Sequence, residues 1–145
     1  MRITRKYEWD MGHRVPQHKS KCRNVHGHRY VGEFTLEGGI VKGNSSDDGM
    51  VMDFGDIKGI LSNFIDTKLD HGYMGQTGID KTVLNFLEGQ GYKNLPVSFT
   101  PTAENIAQFL LDELGPLFKD TYGTGLKLVK VRLWETPNSV AEVEL

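Results

Sequence analysis

Four of the five histidines and the single cysteine fall between His13 and His28, in the stretch His13-Arg14-Val15-Pro16-Gln17-His18-Lys19-Ser20-Lys21-Cys22-Arg23-Asn24-Val25-His26-Gly27-His28. His26 and His28 are two apart, and the residues after them, Arg29 to Leu36, read as a β-strand. Positions i and i+2 of a strand share a face, so both imidazoles can converge on one point. Gly27 between them leaves room for a close approach to the backbone. His13 ends an earlier run in which Ile3, Tyr7, Trp9 and Met11 share its parity. If the two runs pair as an antiparallel hairpin, the three imidazoles meet near the connecting loop. Three neutral imidazoles with one open position form the donor set of a catalytic zinc.

Spacing alone leaves two plainer readings open. The histidines can be hydrogen-bonded core residues, or Cys22 can join them as a fourth ligand and close a structural zinc site. Around them Arg14, Lys19, Lys21 and Arg23 crowd four cations, with His18, into one loop. Such a cluster is either a solvated patch or a receiver for a polyanionic substrate beside the metal. Further on, Leu69-Asp70-His71-Gly72 sets an acid and an imidazole just past a helix, where loops carry function. Glu135 continues the apolar parity of Val129, Val131 and Leu133, a position where a carboxylate is costly unless something pairs with it. A strand that has already ended, with Glu135 solvated, explains it equally well.

The elements that must position these groups follow from periodicity. Residues 2–11 and 28–38 read as two strands, the second ending at Gly38-Gly39. Residues 42–49 are turn-formers, and Met50-Val51-Met52 reads as a short extended piece. Asp53 is placed to cap a helix over 54–68, with Phe54, Ile57, Leu61, Phe64, Ile65 and Leu69 as its buried stripe. Residues 79–88 make a short helix and 89–101 a loop. A second long helix starts near Thr100 or Thr102 and stops at Gly115-Pro116. Residues 126–135 form a third strand, and a turn at 136–139 leads to a fourth with Ala141, Val143 and Leu145 inward. The expected class is α+β: one domain over 1–145, ββααββ, with a four-stranded antiparallel sheet and two long helices on one face. The uncovered face would carry Leu128 and Trp134 beside Lys130 and Arg132, which predicts oligomerisation.

Composition sets outer bounds. With 38% hydrophobic and 25% charged residues the 145-residue chain is an ordinary folding sequence, and its net charge of −2 gives no general attraction to nucleic acid or anionic membrane. One cysteine excludes an internal disulfide and fits a reducing compartment. No run approaches membrane-spanning length and the start does not resemble a signal peptide, so a cytoplasmic protein is expected.

Taken together, five motifs resemble the 6-pyruvoyl-tetrahydropterin synthase family over nearly the whole chain: Trp9-Asp-Met-Gly-His13, Cys22 followed after three residues by His26-Gly-His28, Leu69-Asp70-His71, Pro101-Thr-Ala-Glu-Asn105 and Trp134-Glu135-Thr136. The resemblance implies a tunnelling fold, trimeric barrels stacked into a homohexamer, and active sites between subunits. It implies Zn2+ on His13, His26 and His28, a catalytic group of Cys22, Asp70 and His71, and Glu135 as pterin anchor. Thr102 and Glu104 match a stretch beside the pterin in relatives, although helix capping also accounts for Thr102. Independently of the resemblance, the local charge makes Arg14, Lys19, Lys21 and Arg23 the candidate cations for the triphosphate. The short gap between Cys22 and His26 resembles the bacterial carboxy-forming members rather than the pyruvoyl-forming ones. The implied activity converts 7,8-dihydroneopterin triphosphate to 6-carboxy-5,6,7,8-tetrahydropterin, acetaldehyde and triphosphate, on the route to 7-deazaguanines such as queuosine. The rivals are the pyruvoyl-forming reaction, a zinc hydrolase using Asp70 or Glu135 as base, and a non-catalytic pterin-binding protein. This chain departs from the family pattern at Trp9 and Gly12, and in a longer insertion at 74–100.

Overall fold

The computed structural model describes residues 1–123 and 125–145. In chain order its elements are β1 (Arg2–His13), a single 3-10 turn (Lys21–Arg23), β2 (His26–Gly38), α1 (Phe54–Lys68), β3 (Gly72–Gln76), α2 (Lys81–Gly89), β4 (Asn94–Val97), α3 (Ala103–Tyr122), β5 (Leu126–Thr136) and β6 (Ser139–Glu144). The strands form one sheet in the order β4-β3-β1-β2-β5-β6.

The centre of the sheet is the β1–β2 hairpin, antiparallel over its whole length and in register from Arg2 opposite Glu37 to His13 opposite His26. Alternation decides which side packs: Trp9, Met11, Tyr30, Phe34 and Leu36 are buried with Ile57, Leu61 and Ile65 of α1 and Ile106, Leu110 and Leu114 of α3. Asp53 caps α1 through the Gly55 amide, which offsets some of the weakness that Gly55 and Gly59 bring to this helix. Thr102 caps α3 by accepting from the Asn105 amide.

Several expectations are corrected. The sheet is six-stranded and mixed, not four-stranded and antiparallel: β3 runs parallel to β1, and β4 parallel to β3. These two short strands lie between Gly72 and Val97, where Gly75 and Pro96 hide the strand signal. Pro96 is tolerated because β4 is an edge strand. The short helix expected over 79–88 forms as α2, whereas α3 continues through Gly115-Pro116 to Tyr122, packing of Phe118 outweighing the local breaker. Met50-Val51-Met52 is not a strand, while Phe54 and Leu145 are exposed rather than inward.

The correction with most consequence lies in β5. Its pairing with β2 shifts register between Thr35 and Leu36, so Thr35 faces Lys130 but Leu36 faces Leu128, and Val129 is the extra residue of a bulge. Parity flips there. Leu128, expected on the open face, is 2% exposed in the core, and it leaves Trp134 as the aromatic of the other face. That face is charged: Arg132 bridges Glu33 and Glu142, Lys130 bridges Glu142 and Glu144, and Arg2 bridges Glu37 and Glu144. Leu128→Ala should therefore cost about 2–5 kcal/mol in a urea denaturation, as for a buried leucine. A loss below about 0.5 kcal/mol would mean that Leu128 is a surface residue.

Candidate active site at the open end of the hairpin

The histidine cluster follows from the hairpin register. His13 and His26 are directly opposed, and His28 stands two residues along the same face, opposite Met11. Ring centroids are 4.6 Å apart for His13–His26, 5.1 Å for His13–His28 and 4.9 Å for His26–His28. One ligand nitrogen from each comes within 4.8 Å of the others. What approaches the backbone at Gly27 is β1 itself, since a Cβ there would lie 2.9 Å from the Met11 carbonyl oxygen. Any side chain at 27 would push the two metal strands apart.

Backbone carbonyls fix the rings. His13 Nδ1 donates to the Pro101 carbonyl at 2.7 Å, and His26 Nδ1 donates to the Asn24 carbonyl at 2.7 Å. Each bond places the proton on Nδ1 and leaves Nε2 as an acceptor. Nε2 of His13 and Nε2 of His28 are buried without any hydrogen-bond partner. Burial lowers the pKa of His13 to about 4, the Pro101 carbonyl opposing the shift and the other two imidazoles adding to it. His28 is lowered as well, chiefly by burial, against the pull of Glu135. Neutral rings with orphaned lone pairs are costly by themselves and are what a divalent, nitrogen-seeking metal requires, so these residues fit zinc. Tyr30, next along the same face, stands edge-on to His13 and His28 and floors the cluster. Its parity with His26 and His28 was visible in the sequence.

Glu135 lies where the apolar face of β5 runs out. Its carboxylate is 3.9 Å from His13 Nε2 and 3.8 Å from His28 Nε2. The solvated-end reading is thereby replaced: Glu135 borders the cluster and also lines a cavity of about 310 Å³ with Cys22, His18, Thr102, Glu104 and Val140. Four of the sequence-derived site residues thus meet in one space, at the start of α3. Cys22 is a free, half-buried thiol on the 3-10 turn, and the structure holds it outside the histidine set.

Asp70 and His71 go elsewhere. Asp70 accepts from the Asp10 amide at 3.0 Å, the His71 amide donates to the Asp10 carbonyl at 2.7 Å, and Gly72 pairs with Met11. The pair is formed, with His71 Nδ1 2.8 Å from Asp70 Oδ2. Burial would raise the Asp70 carboxyl, but the Asp10 amide and then His71 outweigh it and hold it below its usual range. His71 adopts a left-handed φ of 56°, alone among the described non-glycine residues, a strain that positions its 76% exposed side chain outward. Neither residue lines the cavity that holds Cys22.

The cations divide. Lys19, Lys21 and Arg23 are exposed and, among the described residues, form no ion pair. Arg14, expected with them as a phosphate ligand, pairs with the buried carboxylate of Asp80. Sequence reading missed Asp80, for which no motif signals burial, and the carbonyls of Pro101 and Asn24.

Residues 2–145 match the family model described as 6-pyruvoyl tetrahydropterin synthase. The chain belongs to that family. A Rickettsia bellii relative described as 6-carboxy-5,6,7,8-tetrahydropterin synthase is 38% identical over 144 residues, covering 99% of both chains. A Haemophilus influenzae relative of the same description is 32% identical over 145 residues, covering 99% of this chain and 98% of its own. Among solved structures, the Caenorhabditis elegans 6-pyruvoyl tetrahydropterin synthase has a TM-score of 0.68 at 24% identity, covering 100% of this chain and 95% of its own. That likeness supports the fold.

The depressed His13 predicts an acid-sensitive apoprotein. Unfolded, His13 takes its proton near 6.5, but folded only near 4, so its contribution is complete above pH 6.5 and falls as pH drops through 4. In chelator-treated protein, stability by urea unfolding should fall between pH 7 and 5 by about 2 kcal/mol more in wild type than in His13→Gln. Equal falls in both would detach His13 from the effect.

Proposed function

We propose that this chain is a zinc-dependent lyase converting 7,8-dihydroneopterin triphosphate to 6-carboxy-5,6,7,8-tetrahydropterin, acetaldehyde and triphosphate. The observation that carries the reading is the convergence of three histidine nitrogens, beside a cavity lined by Cys22 and Glu135. The carboxy-forming branch is favoured by full-length relatives of that description and by the short Cys22–His26 gap.

His13, His26 and His28 would hold Zn2+, which when bound polarises substrate side-chain oxygens and eases their deprotonation. Glu135 accepts hydrogen bonds from the amino group and ring NH of the pterin, a bidentate pairing that offsets its partial burial. The start of α3, with Thr102 and Glu104, borders the same cavity and orients the ring. Cys22 takes and returns a proton at side-chain carbon, and the Asp70–His71 pair moves the second proton, Asp70 fixing the imidazole. Lys19, Lys21 and Arg23, unpaired on the loop, remain for the triphosphate.

The separation of Asp70 and His71 from the Cys22 cavity supports a shared site, in which one subunit supplies the metal, Cys22 and Glu135 and its neighbour the dyad. A trimer-based hexamer in the cytoplasm, serving 7-deazaguanine formation, is the setting this reading adopts. The nearness of Glu135 to two metal-facing nitrogens favours one rival, a hydrolase with Glu135 as base.

Variants separate these roles. His28→Ala should lose most of about one zinc per chain, because two remaining ligands bind weakly. Cys22→Ala should keep zinc and pterin binding but cut acetaldehyde formation at least about a hundredfold. Glu135→Gln should weaken pterin binding by about 2–4 kcal/mol. Unchanged affinity with lost turnover would instead fit the hydrolase base. Mixing Cys22→Ala chains with His71→Ala chains should recover part of the activity, since some sites then combine an intact cavity with an intact dyad. No recovery, in oligomers shown to exchange subunits, would sink the shared site.

A further inference from the structure

The strongest unexplained feature near the site is an ion pair, built on a buried carboxylate, that joins the start of α2 to the residue following β1. Asp80, at the start of α2, has a fully buried side chain, and its Oδ1 is bonded by Nε of Arg14, the residue after His13. Tyr73 adds its hydroxyl to the other oxygen at 3.4 Å. A carboxylate buried without its cation is strongly destabilising, so Asp80 holds Arg14 firmly in place. Its second arm then reaches across the loop, Nη1 donating to the Arg23 carbonyl at 3.3 Å. That carbonyl belongs to the last residue of the 3-10 turn whose middle residue is Cys22. The same turn is tied to the segment following β1 by a backbone bond, from the Val15 amide to the Cys22 carbonyl at 2.8 Å.

We infer that the Asp80–Arg14 pair is a positioning device for Cys22: the insertion supplies a buried anion that fixes Arg14, and Arg14 fixes the turn bearing the thiol against the metal strand. The turn needs such a device. It is three residues long, buries none of them, and has Ser20 as its cap through a weak 3.4 Å bond. A guanidinium holds an acid and a carbonyl at once through separate nitrogens fixed in a rigid fork; a lysine ammonium drawn onto Asp80 offers all its donors from one nitrogen and loses that fixed second arm. The inference rests on the reading of Cys22 as the acid–base thiol, and its test contains a readout independent of that reading.

Two variants of the zinc-loaded protein are compared with wild type. Arg14→Lys keeps a cation for Asp80 but loses the reach to Arg23, and so keeps the fold. Asp80→Asn keeps the shape and removes the anion. Hydrogen exchange should accelerate about tenfold or more at the Val15 and Asn24 amides, which close the turn, while core amides of α1 and α3 stay within about twofold. Zinc content should not change. Turnover of dihydroneopterin triphosphate should show kcat lower by about tenfold or more with KM within about threefold, as for a displaced proton-transfer group. Wild-type exchange at Val15 and Asn24 in Arg14→Lys overturns the inference, as does faster exchange with unchanged kcat. Uniform loss of protection in Arg14→Lys would make the pair a general core brace, and also overturns it. A wild-type chain without turnover would remove the lyase reading alone, and the exchange comparison would still decide whether the pair holds the turn.

Discussion

The rest of the structure depends on the register of one hairpin. Because β1 and β2 pair without a slip from Arg2–Glu37 to His13–His26, three imidazoles separated by up to fifteen residues share one face at one end. A shift by one residue would send His26 and His28 to the charged side of the sheet, where they would meet water rather than each other. The register is held by burial of Trp9, Tyr30 and Phe34 on the helix side, and by Gly27, which lets the strands close at the point where the rings converge.

Around this frame the segment from β3 to Pro101 works as a buttress. It adds β3 and β4 to the β1 edge and delivers the Pro101 carbonyl to His13 at its far end. At its near end it delivers Asp80 to Arg14. The two consecutive residues His13 and Arg14 are thus gripped from both ends of the same segment, one ring by a carbonyl and one guanidinium by a carboxylate. Burial and hydrogen bonding, rather than ligand type alone, set the chemistry here. A histidine kept neutral well below its usual range can bind metal where an exposed one would bind a proton.

The geometry also divides the labour. The three histidines, Glu135 and Cys22 face one region on the helix side of the sheet, whereas Asp70 is anchored on the Asp10 backbone and His71 projects outward from strained geometry. The dyad is thus firmly built yet leaves its imidazole 76% exposed. The charged open face, with Trp134 under Arg132, is also compatible with a wet, enclosed surface in an assembly.

Much of this was legible in the chain. Two-residue spacing and parity place His13, His26, His28, Tyr30 and Glu135 on one face, because alternation is a local property of extended backbone. Asp53 and Thr102 as caps, and the stripes of α1 and α3, are local in the same way. Where long-range pairing decides, the sequence was silent. Strands β3 and β4 are short, carry glycine and proline, and exist because β1 offers them an edge. Leu128 faces the core because a bulge opposite Thr35 and Leu36 reverses parity, and α3 passes Pro116 because Phe118 has a core to enter. Arg14 looks like one of four loop cations until folding brings Asp80, 66 residues away, against it. Periodicity fixes which way a residue points; only tertiary structure decides what it meets, because the partner's burial is a property of the whole fold.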